Sequence, residues 1–90
     1  MPSKAALTQA VEELEEEYRY WTVEVITLDR GIENLEEKID QHEQALGPNR
    51  VEEFRSRLDQ TRERHTAIEE RMRYVRWRLH DLRTRLSAMV

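Results

Sequence analysis

The chain has 90 residues, a net charge of −4, no cysteine, two glycines and two prolines. Charged and hydrophobic residues each make up 38%, a composition of long helices that bury a seam and not a thick mixed core. A disulfide framework and a thiolate metal site are thereby excluded, and no apolar run reaches the length that spans a bilayer.

The N-terminal stretch MPSKAAL carries one lysine and no apolar core. No secretory leader is read there, and a cytoplasmic, intracellular protein is expected. From Leu7 the apolar pattern becomes strict. Leu7, Val11, Leu14, Tyr18, Trp21, Val25, Leu28, Ile32, Leu35, Ile39, His42 and Leu46 recur at alternating steps of four and three. This is the a/d repeat of a coiled-coil helix, predicted over about residues 4–46.

Gly47, Pro48 and Asn49 interrupt the pattern. A glycine can end a helix in the left-handed conformation, and proline cannot continue one. Asn49 with Glu52 three residues later reads as a capping box. A turn over 47–49 is therefore predicted. A second helix over about 50–88 follows, with the seam Val51, Phe54, Leu58, Thr61, His65, Ile68, Met72, Val75, Leu79, Leu82, Leu86 and Met89. So short a connection makes the helices antiparallel. The expected fold is a single all-α domain, 1–90: an antiparallel coiled-coil hairpin that dimerises into a four-helix bundle.

The two halves differ in charge. Residues 1–46 hold 4 basic and 12 acidic side chains, and residues 47–90 hold 11 basic and 7 acidic. Such complements pair with each other or with a second copy. Two registers place a positions against d positions. One sets Leu7 near Leu86 and His42 near Val51; the other sets Leu14 near Leu86. The first is preferred because it puts Glu36 near Arg55, Asp29 near Arg62 and Glu15 near Arg76, whereas the second opposes Asp29 to Glu69.

Ten of the eleven arginines of the second half fall at the e and g positions beside the seam. The g row is complete: Arg50, Arg57, Arg64, Arg71, Arg78 and Arg85. The first helix answers with Ala10, Glu17, Glu24, Gly31, Lys38 and Ala45, so Arg50, Arg57 and Arg64 are expected to lack acidic partners. Such a file either pairs with a second hairpin or follows a nucleic-acid backbone, because guanidinium forks suit phosphate oxygens. Off the seam, Tyr20, Val23, Ile26, Tyr74 and Trp77 fall at similar height and, with Tyr18 and Trp21, form an apolar belt. A clustered belt marks self-association or the docking of another protein.

Three seam positions are polar, His42, Thr61 and His65. They read as register-setting residues, or as groups whose protonation would loosen the hairpin. With His80 on the outer face, the histidines are too dispersed for a metal site. The acidic residues near the turn, Asp40, Glu43, Glu52 and Glu53, read as solvated charge. No phosphate loop and no nucleophile set beside a base is present, so a non-catalytic protein without a cofactor is expected.

The opening residues Met1, Pro2, Ser3, Lys4, Ala6, Leu7 and Gln9, and the turn residues Pro48, Asn49 and Val51, match the small RNA-silencing suppressor of insect nodaviruses. The chain resembles that family over these two stretches. The resemblance implies an all-helical dimer, a four-helix bundle, that binds double-stranded RNA along one face without reading its sequence. Anchored at the turn, it places family basic residues on Arg64 and Arg71, and extends to Arg57 as a third contact to phosphates and ribose hydroxyls. Two departures stand out. The first helix is longer here, and Glu52 and Glu53 stand where the family has basic residues. Taken together, the expected RNA-binding set is Arg50, Arg57, Arg64, Arg71, Arg78 and Lys38. The expected dimer or partner surface is the belt.

Overall fold

The computed structural model describes residues 3–89, with the side chains of Leu46, Pro48, Asn49 and Arg50 outside the described set. Two helices account for it, α1 (Lys4–Leu46) and α2 (Pro48–Ala88), packed along their length into a rod of 66 × 16 × 14 Å. None is long and apolar enough to cross a membrane.

Helix α1 opens on Ser3, whose Oγ accepts a hydrogen bond from the Ala6 N–H at 3.1 Å. That satisfies one of the donors a helix start leaves without a partner. Helix α2 starts two residues before the expected position. Gly47 alone links the helices, at φ 81° and ψ 168°. It has the positive φ expected of a terminating glycine but an extended ψ, a combination that only glycine adopts cheaply. Pro48 begins α2 instead of breaking the chain, since a first-turn proline lacks only an N–H that would be unpaired anyway. Gly47, not Asn49, takes the N-cap position of α2, and the side chain of the expected capping box, Asn49, lies outside the described set.

The seam is as the periodicity predicts. Every described a and d residue is buried or half-buried except Met89, which is 45% exposed. Leu46 lies outside the described side chains. The densest packing is at the terminal end, where Leu7, Val11, Val75, Leu79 and Leu82 form one cluster with Leu14, Tyr18 and Leu86 against it. Each such burial contributes about 1.5–3 kcal/mol before chain entropy is counted. Towards the turn, α1 is less well covered: Val25, Leu28, Ile32, Leu35 and Ile39 are only half-buried.

Leu7, Leu14 and Leu86 all pack in that cluster, which is compatible with both registers. The charge pairs, however, are not those expected. Glu36 meets Arg62 at 2.8 Å, Glu15 meets Arg83 at 3.2 Å, and Arg55 pairs with Glu43. Each partner lies one heptad from the expected one. A glutamate and an arginine together reach more than a helical turn, so a register of layers does not choose between partners seven residues apart. Asp29 and Glu69 both approach His65, at 2.7 Å from Nε2 and 2.8 Å from Nδ1.

Candidate nucleic-acid and partner interface

The hairpin has two flanks, one lined by the e rows and one by the g rows. The ion pairs fix how the g rows meet. Glu17 faces Arg71 and Glu24 faces Arg64. Seven residues further along α1 and seven back along α2, Gly31 comes opposite Arg57, and then Lys38 opposite Arg50.

The terminal half of this flank is a connected network. Arg71 donates from Nε and from a terminal nitrogen to the two oxygens of Glu17, at 2.7 and 3.0 Å. The Trp21 indole N–H donates to the same carboxylate at 3.2 Å. Tyr20 meets Trp21 edge to face at 4.9 Å, and the Arg71 guanidinium lies over the Tyr74 ring at 4.9 Å. Tyr74 in turn neighbours Trp77 at 6.3 Å. The Arg71 hydrogen bonds hold the Glu17 carboxyl below the usual carboxylate range, against the opposing effect of its partial burial. They also raise Arg71. Arg78 and Arg85 both turn to Asp81, at 3.0 and 3.3 Å.

The turn-proximal half is different. Arg64 is the weakest pair of the row, at 3.7 Å from Glu24 with its side chain 61% exposed. It was expected to lack a partner, and the Glu24 contact corrects that. Lys38 and Arg57 are exposed and make no ion pair among the described residues. The Arg50 side chain lies outside the described set. Three residues after each g position, on the same flank, stand Thr27, Asn34, Gln41, Gln60 and Ala67, all uncharged, and Glu53. The opposite flank carries Asp29, Glu36, Glu43 and Glu69 beside Arg55 and Arg62. The two sides of this half thus differ in charge although its total is acidic.

Of the belt, Tyr20, Val23, Ile26, Tyr74 and Trp77 are exposed, Val23 and Trp77 most of all, at 63% and 62%, while Tyr18 and Trp21 are half-buried. They do not share one flat face. Tyr20 and Tyr74 follow Glu17 and Arg71 by three residues and lie on the g flank. Ile26 directly follows the seam residue Val25 and turns to the other flank. The belt therefore wraps the rod. The network that ties it together escaped the sequence reading, although its signals were present in the spacings Glu17–Trp21 and Arg71–Tyr74.

Among the described residues no group of three or more histidine, aspartate or glutamate side chains converges to hold a metal. No family model, curated protein or solved structure matches the chain.

Proposed function

We propose that this chain is a non-catalytic helical protein that dimerises into a four-helix bundle and binds double-stranded RNA without reading its sequence, as a viral suppressor of RNA silencing does. The observation that carries the reading is the turn-proximal g flank, where Lys38 and Arg57 stand exposed beside the loosely paired Arg64. The resemblance at the N-terminus and the turn supports it. A-form RNA suits such a surface: it is recognised by shape, through phosphates and ribose hydroxyls, because its major groove is too narrow to read. Dimerisation is supported by the exposed belt and by the half-covered seam of α1.

The test is a gel-shift titration of the whole chain against an RNA duplex of about 25 base pairs, longer than the ~16 that one double-stranded RNA module spans. It is repeated with a second sequence, at two salt concentrations, and with DNA. Tight, salt-sensitive binding that is indifferent to sequence and prefers RNA is expected. Absence of binding at low salt would remove the reading.

A second reading is favoured by Val23, Trp77 and Tyr20, three large apolar side chains each more than half exposed. On it, the hairpin is a scaffolding or interaction module that docks another protein through the belt. Such a protein would leave RNA free and keep its partner when Lys38 and Arg57 are neutralised.

A further inference from the structure

Gly31 is out of place by every local criterion. It sits deep inside α1, where glycine disfavours the helix relative to alanine. Its φ is not positive, since Gly47 is the only described glycine with that conformation. A Cβ built on it would meet nothing within 4 Å. Neither backbone geometry nor packing within the hairpin calls for it. What distinguishes the position is its place on the g flank, opposite Arg57 and one heptad from Lys38. A remaining use of glycine is to let a ligand approach the backbone closely.

The cations of the flank divide at the same place. Arg71, Arg78 and Arg85 are committed to Glu17 and Asp81. Lys38 and Arg57 are not committed, and Arg64 is held by one long contact. Between them stand Asn34 and Gln60, both exposed, whose amides can donate to and accept from ribose hydroxyls.

We propose that an RNA duplex lies across the turn-proximal half of the g flank, its backbone held by Lys38, Arg57 and Arg64 and admitted close to α1 by the missing side chain at Gly31. The terminal half of the arginine file then serves the hairpin and its belt, not the nucleic acid. This rests on the RNA reading above and narrows it to one end of the molecule.

The experiment compares three variants with the wild-type chain on the same RNA duplex: Lys38→Gln with Arg57→Gln, Arg78→Gln with Arg85→Gln, and Gly31→Leu. The first pair is expected to weaken binding on the order of tenfold to a hundredfold near 0.1 M salt and to reduce the slope of log affinity against log salt by about two. The second pair is expected to bind within about threefold of wild type, because both guanidinium groups are drawn to the Asp81 carboxylate in the other half of the flank. Gly31→Leu is expected to melt higher yet bind more weakly, a combination that misfolding cannot produce. If wild type binds and the Lys38/Arg57 pair binds equally well, the assignment to this half is wrong while the RNA reading stands. If wild type binds no duplex, both fall. Loss of self-association instead of RNA binding in the Lys38/Arg57 pair would assign the flank to a second copy and overturn the proposal.

Discussion

Arg71 and Glu17 close the hairpin with the only two-nitrogen, two-oxygen contact described between the helices, at 2.7 and 3.0 Å. The same carboxylate receives Trp21 and the same guanidinium covers Tyr74. One ion pair therefore ties the aromatic residues of both helices into a single unit.

That pair gives the hairpin an acid-sensitive element. The Glu17 carboxyl is lowered from its ordinary 4.5 by Arg71, so its contribution is fully present above pH 4.5 and is lost as pH falls through the lower folded value. Both partners are partly exposed, so the effect is about 0.5–1 kcal/mol. Thermal melts between neutral and strongly acidic pH should show Glu17→Gln less stable at neutrality and converging with wild type in acid. Parallel curves would show that the pair contributes nothing to stability.

His65 should couple the helices through its two carboxylates. Its side chain is only 18% exposed, with Asp29 on one nitrogen and Glu69 on the other. A double-mutant cycle of His65→Asn with Asp29→Asn, followed by urea unfolding near pH 6, should give a coupling of about 0.5–1.5 kcal/mol. Additive effects would mean that the closeness carries no energy.

The two glycines should respond to alanine in opposite directions. Gly31→Ala removes a helix-disfavouring residue from open space and should stabilise by about 0.5–1 kcal/mol. Gly47→Ala forces a side chain into positive φ and should destabilise by about 1–3 kcal/mol. Calorimetric melting of the two variants reads both signs at once, and a gain at Gly47 would contradict the described turn.

The belt should matter to association and little to folding. Tyr74 and Trp77 are both about half exposed or more, so Tyr74→Ala with Trp77→Ala removes little buried area from the hairpin. Light scattering after gel filtration should show the wild type as a dimer and the variant shifted towards monomer. The helical circular dichroism should be retained. An unchanged mass would place the second copy elsewhere.

Most of the backbone was legible in the residues. The alternation from Leu7 to His42 and from Val51 to Leu86 identifies the buried rows, because a helix offers no other way to place steps of three and four on one side. The limits were at the ends and in the charges. Asn49 resembled a cap, but Pro48 can itself open a helix, and composition does not decide between them. Glu36 and Glu15 each found the arginine one heptad from the expected partner, because layer register leaves long side chains a choice. Asp29 and Glu69 look repulsive in sequence, which does not show that the His65 imidazole takes one on each ring nitrogen. Of the candidate site, the file of arginines was visible at once. Its division was not, since it depends on Asp81 drawing in Arg78 and Arg85, within one helix.

The single-residue link at Gly47 acts as a covalent gauge. Sliding one helix past the other by a heptad would displace it about 10 Å, whereas one residue of chain spans at most about 3.6 Å. Such a slip would require unwinding the last turn of a helix. Coiled-coil pairs with long connections can explore several alignments, but this one is held to a single setting by its own backbone. The distances from Lys38 to Arg57 and to Arg64 are thereby set at the bend and need no contribution from the charges themselves.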